Sequence, residues 1–149
     1  MRAVVQRVLR ASVRVAEEEI ARIGAGLCVL VGVAADDTAE DAAALSQKVV
    51  GLRIFEDAEG KMNRDVRAVS GAVLAVSQFT LFGDVRRGLR PSFGDAMEPA
   101  GASALFDAFC SSAERHGVTV ARGRFRAHMV VSLENDGPVT ILVDTRKAF

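Results

Sequence analysis

The chain has 149 residues, half of them hydrophobic and 26% charged, and its 19 basic and 19 acidic side chains leave no formal net charge. That size suits one domain, residues 1–149, with a core of its own, and the composition excludes disordered, fibrous and disulfide-dense classes. Zero net charge also argues against a protein that grips a long stretch of nucleic acid, because neutralising phosphates supplies most of such affinity. Any RNA contact should therefore be a local patch, with no DNA partner. The apolar run from Leu27 to Ala35 is far shorter than the roughly 18–20 residues that span a bilayer. Arg7 and Arg10 interrupt any apolar region of a signal peptide. A cytoplasmic protein without membrane contact is expected.

Three strands are predicted first. Ala3 to Val15 alternates imperfectly and is long enough to bend, Glu18 to Ile23 can pair back on it, and Leu27 to Val33 is continuous enough to be buried on both faces. A first helix follows from about Thr38 to Arg53: Asp36, Asp37 and Thr38 offer caps, Glu40 and Asp41 suit the positive end of the helix dipole, and Leu45, Val49 and Leu52 share one face. Ala72 to Val76 reads as a central strand that delivers Ser77, Gln78, Phe79 and Thr80 to the edge of the core. If the strand continues, Gln78, Thr80 and Phe82 lie on one face.

A loop punctuated by Gly and Pro runs from Gly83 to Pro99. The second helix spans about Gly101 to His116, with Leu105, Phe106, Phe109 and Ala113 as its apolar stripe and Gly117 as terminator. Strands near Val118–Ala121, Met129–Glu134 and Val139–Asp144 close the chain, and the Gly137-Pro138 dipeptide between the last two reads, taken alone, as a hairpin turn. The order predicts an α+β domain with a largely antiparallel sheet and two main helices.

Conventional hydrolytic machinery is missing from the pattern. There is no Gly-x-Ser-x-Gly elbow, His116 falls at a helix end, and Thr80 has no evident base beside it. Cys28 and Cys110 lie in apolar elements and read as buried thiols, and no Cys-x-x-Cys or paired histidine spacing suggests zinc.

Two segments nonetheless carry a specific resemblance. Ser77-Gln78-Phe79-Thr80-Leu81 and Asn135-Asp136-Gly137-Pro138-Val139-Thr140 are similar to the signature of the D-aminoacyl-tRNA deacylases. The opening Met1–Val8, Arg53–Asp57 with Gly60–Asn63, and Arg90-Pro91-Ser92-Phe93 fit as well, so the likeness covers essentially the whole chain. One segment departs from it. Arg122-Gly123-Arg124-Phe125-Arg126-Ala127-His128-Met129 has Arg126 and His128 where that family is expected to have Gly and Asp.

The resemblance implies a curled, barrel-like sheet and a cofactor-independent enzyme. Such an enzyme cleaves the ester between tRNA and a D-amino acid, or glycine mischarged on tRNA(Ala), and works as a homodimer with active sites at the subunit interface. Catalysis then falls to Ser77, Gln78, Phe79 and Thr80, whose main chain holds the ester while the 2′-hydroxyl of the RNA 3′ end activates water. Substrate binding falls to Gly137, Pro138, Asn135, Met129, Phe125 and Arg7. In the family the Gly-Pro bond is cis, its carbonyls face the substrate amino group, and the counterpart of Arg7 braces the loop. Arg86, Arg87, Arg90, Arg122, Arg124 and Arg126 are the candidates to face phosphate. The rivals are a small-metabolite esterase and a non-catalytic RNA-binding or assembly protein of the same fold.

Overall fold

A computed structural model describes residues 1–149. Its organising element is β1 (Arg2–Val15), which binds strands on both edges. Along one edge, residues 2–8 pair with β3 (Gly26–Gly32) and residues 11–15 with β2 (Glu18–Ile23), both antiparallel. Changing partner midway requires the bend expected from the imperfect alternation, and Leu9 and Arg10 are exposed there. The other edge pairs along its length with β8 (Val130–Asp144). Beyond β3 the sheet continues through β6 (Ala72–Ser77) and β7 (Thr119–Arg122), both joined in parallel. The sheet is therefore mixed, antiparallel around β1 and parallel beyond β3, and curls toward a barrel.

Each parallel step needs a crossover, and a helix supplies it. In α1 (Ala39–Val50) the Thr38 amide donates to the Asp41 carboxylate at 2.9 Å, and Ala42, Leu45 and Val49 are buried. α2 (Pro99–Arg115) begins two residues before the expected Gly101, because proline is tolerated at the first helical position and the Glu98 carboxylate receives the Ala100 and Gly101 amides. Both helices cover one face of the sheet, where Leu27, Val29, Val31 and Val73 meet Leu45, Val49, Phe106 and Phe109. The opposite face holds Val8, Val13, Cys28, Leu74 and Val76. β3 is thus buried on both sides, as its unbroken apolar run predicts.

Two sequence expectations need correction, and one element was missed. The last two strands are one element: β8 runs through the Gly-Pro dipeptide and keeps the same neighbour, shifting register between Gln6 and Val8 of β1. The strand expected to carry Gln78, Thr80 and Phe82 on one face ends at Ser77, and Phe79–Phe82 wind into a 3₁₀ turn that buries Phe82 and exposes Thr80. A short hairpin, β4 (Phe55–Glu56) with β5 (Met62–Arg64), was not anticipated.

Candidate active site

β6 delivers the Ser77–Thr80 segment to one wall of a cavity of about 630 Å³. The Gln78 amide donates to the Val31 carbonyl at 2.8 Å, which ends strand pairing and starts the turn. The first bond inside that turn is from the Leu81 amide to the Gln78 carbonyl, so the turn itself leaves the Phe79 and Thr80 amides unused. Phe79 is 56% exposed and meets Phe93 edge-on with ring centroids 5.0 Å apart. Phe93 opens the segment that returns over the end of β3, where Met97 donates to the Val33 carbonyl and Ala35 to that of Asp95. Phe125 and Met129 form the opposite wall, so six of the expected site residues come together here.

Sequence reasoning missed Met97, Pro99 and Ala102, which reach the cavity from the start of α2. Their only signal was the Pro99 helix start. Arg126 and His128, noted as departures from the pattern, also line the cavity, and both are exposed. Arg126 adopts a left-handed φ of 63° in a turn closed by the Ala127 amide on the Arg124 carbonyl.

No general base is hydrogen-bonded to the Thr80 hydroxyl. Its hydroxyl pairs with the side-chain amide of Gln78, which can donate or accept a hydrogen bond but cannot take up a proton at neutral pH, whichever way the amide is oriented.

The other expected residues form a second cluster outside this cavity. Asn135 closes a loop by accepting the Val139 amide at 2.7 Å through Oδ1, and its Nδ2 donates to Gln6 and Thr140. Gly137 and Pro138 stand at the exposed tip, joined by a cis peptide bond. The φ of Gly137 is +128°, and an added Cβ would lie 2.7 Å from Val139 Cγ2 and 3.1 Å from Arg7 Nη2. Beneath the tip, Arg7 is buried; its Nη1 donates to the Ile54 carbonyl at 2.6 Å and its Nε to the Asp136 carbonyl at 3.1 Å, and the Asp136 carboxylate lies 3.2 Å from Nε.

Among the arginines expected to face phosphate, two are already neutralised. Arg86 is held by Asp84, and this side-chain hydrogen bond chiefly lowers the Asp84 carboxyl to about 2. Arg122 is held by Asp107 and Glu114. Cys28 and Cys110 are free and buried in different clusters, and burial raises their thiols to about 11 and about 12.

The sequence and this architecture match a known class. The family model described as D-Tyr-tRNA(Tyr) deacylase matches residues 4–144, and the chain belongs to that family. It is 58% identical, over the full length of both chains, to the D-aminoacyl-tRNA deacylase of Anaeromyxobacter dehalogenans (strain 2CP-C), and 56% identical to that of Thermotoga petrophila, again over both full lengths. A solved structure named c-Myc DNA Unwinding Element Binding Protein superposes with a TM-score of 0.93 at 40% identity, covering 97% of this chain and 99% of the other. A probable eukaryotic D-amino acid tRNA deacylase shares the fold, with a TM-score of 0.80 at 18% identity, covering 95% and 97%. The activity that follows is hydrolysis of the ester in D-aminoacyl-tRNA.

Proposed function

We propose that the cavity receives the 3′-terminal aminoacyl-adenosine and that the chirality check comes from the Gly137-Pro138 loop of a second subunit. One observation carries this reading: the loop tip is exposed and braced from below by Arg7, yet it lies outside the cavity of its own chain. A rigid loop with nothing to act on in its own chain suits a partner's site. Leu9 and Leu142, 56% and 57% exposed on the strands that carry Arg7 and the loop, supply apolar surface for a two-fold contact.

In the occupied site, the two loop carbonyls accept hydrogen bonds from the substrate ammonium. Fixed backbone then leaves room for hydrogen on one side of the α-carbon only, so an L side chain clashes while D side chains point to solvent. Glycine, having no side chain, passes, and glycyl-tRNA is a second substrate. Water adds to the ester carbonyl, and the Phe79 and Thr80 amides support the oxyanion. The 2′-hydroxyl of the RNA takes the water proton into its hydrogen-bond network. The acyl C–O bond then breaks, the ribose oxygen leaves with a proton, and a free amino acid is released. Positioning carries the rate, in the cytoplasm where charged tRNA is used.

The test is single-turnover deacylation of matched D-, L- and glycyl-tRNA, with Thr80→Ala on native RNA and wild type on a 2′-deoxy end. Turnover of the D and glycyl forms, a largely active Thr80→Ala and a crippled deoxy substrate are expected. Equal rates on both enantiomers would defeat chiral rejection. A folded but dead Thr80→Ala with normal turnover of the deoxy substrate would make Thr80 the nucleophile. Sedimentation of a fully active monomer would remove the second subunit from the site.

The name of the 40%-identical neighbour brings a second reading, binding of DNA. Zero net charge opposes a long duplex footprint, and failure of a DNA oligonucleotide to compete with tRNA would dispose of it.

A further inference from the structure

Although the chain is neutral overall, its unpaired cations are not evenly spread. Most arginines are spent internally. Arg2, Arg7, Arg10, Arg22, Arg67, Arg86, Arg122 and Arg146 each face a carboxylate, while Arg14, Arg53 and Arg64 donate to carbonyl or amide oxygens. Five arginines have neither kind of partner: Arg87, Arg90, Arg115, Arg124 and Arg126.

One of these five lines the cavity, and three more lie on the two segments that contribute to its wall. Arg126 lines it, Arg124 is in the same turn, and Arg87 and Arg90 lie on the loop that runs into the rim residue Phe93. The turn is also anchored, because the Gly123 amide donates to the Ala75 carbonyl of β6 at 2.9 Å. Arg126 further holds a left-handed backbone that an L side chain adopts at a cost. Ala16, Ser70 and Lys147 share that conformation, so what singles out Arg126 is an unpaired guanidinium in solvent beside the cavity.

We propose that Arg124 and Arg126, assisted by Arg87 and Arg90, bind the phosphodiesters next to the terminal adenosine, so that the single-stranded RNA end is gripped at the rim. Guanidinium forks match phosphate oxygens in pairs, and a few such contacts suffice for a ligand held at one end. The inference rests on reading the cavity as the site of the aminoacylated RNA end.

The experiment compares wild type with Arg124→Gln, Arg126→Gln, Arg126→Gly and Arg115→Gln. Arg115 is the control, equally unpaired but about 20 Å along the α2 axis from the cavity residue Ala102. Three quantities are measured: affinity for deacylated tRNA against salt, kcat/KM on D-aminoacyl-tRNA, and kcat/KM on D-aminoacyl-adenosine, which has no phosphodiester. Each rim variant should weaken tRNA binding about tenfold at low salt and flatten the log–log salt slope by about 0.7. The loss of kcat/KM should be at least tenfold greater with tRNA than with the adenosine ester, and should fall on KM. Arg126→Gly should bind as weakly as Arg126→Gln while melting no lower than wild type, which separates contact from folding.

Unchanged tRNA affinity and slope, equal losses on the two esters, or the same effect from Arg115→Gln would overturn the proposal. Should wild type cleave neither ester, the deacylase reading of the cavity fails instead, and the binding measurements still decide whether the rim arginines hold RNA.

Discussion

Replacing Arg7 by methionine keeps the length of the side chain and removes its charge and donors. Four terms set the cost. The Ile54 carbonyl loses a buried 2.6 Å bond, and an acceptor stranded in that way costs about 1–3 kcal/mol. The Asp136 carbonyl loses a half-buried bond at 3.1 Å, worth about 1 kcal/mol net. The ion pair with the Asp136 carboxylate adds under about 1 kcal/mol, because that side chain is 42% exposed and water screens it. Against these, methionine recovers most of the apolar contact made by the arginine stem.

The sum is a loss of about 2–4 kcal/mol. In a domain of this size that lowers Tm by roughly 10 °C. Thermal and urea unfolding at one protein concentration measure it, the concentration being fixed because assembly shifts apparent stability. Arg7→Lys should fall between, since an ammonium lacks the fork that reaches two acceptors set apart on different segments. Deacylation at 25 °C should drop further than the unfolded fraction explains, because the Asn135–Pro138 loop has lost its brace. A loss under about 1 kcal/mol would refute the stability reasoning. A folded Arg7→Met enzyme with full activity and full chiral selectivity would refute the bracing role.

Gly137→Ala should cost about 1–3 kcal/mol, since its methyl would meet Val139 and Arg7 at a φ of +128°; the fold should persist while deacylation of D-aminoacyl-tRNA falls at least tenfold, and an unaffected rate would remove the loop from the site. The buried thiols give stability a definite pH dependence. Folded pKa values of about 11 and about 12 lie above the unfolded value of 9.0, so stability is unaffected below pH 9 and declines as pH rises from there toward 11 and 12, by about 1.4 kcal/mol per pH unit for each thiol. Urea midpoints at pH 7 and pH 10 read this directly, and the Cys28→Ala, Cys110→Ala double variant should flatten the difference; an identical decline in that variant would refute the assignment.

The helices and the long first strand were legible because their signals are local and repeated. α1 shows its caps and the Leu45–Val49 spacing, and β3 shows an unbroken apolar run. What escaped depends on partners distant in sequence. Gly137-Pro138 reads as a turn between two strands, yet both flanks of the loop pair with β1 and the Asn135 side chain closes it, so the chain continues instead of reversing. Residues 77–82 alternate like a strand, but β3 runs out at Gly32, where Phe82 and Leu81 pack, and without a neighbour the chain coils. The β4–β5 hairpin is too short for periodicity and is pinned by Asp57 accepting the Glu59 and Lys61 amides. In the site, the motif residues Ser77–Thr80 were legible from resemblance, whereas Met97 and Ala102 join them only through the return of the chain over β3.

The site's composition explains how so neutral a chain can act on a polyanion. Its cavity wall is largely apolar, and the Phe79 and Thr80 amides that we propose support the oxyanion carry no charge. Pairing half of the arginines with carboxylates keeps the overall field small, which limits attraction to nucleic acid at large. The few unpaired guanidinium groups then act only over about a Debye length, roughly 8–10 Å at physiological salt. From the rim, that distance covers the last nucleotides of a bound strand and little more. As proposed, recognition by backbone shape at the amino acid and by short-range charge at the RNA end would demand different things of the chain: a held loop at Gly137, where Arg7 and Asn135 bond its backbone, and unspent charge at Arg124 and Arg126, which no carboxylate quenches.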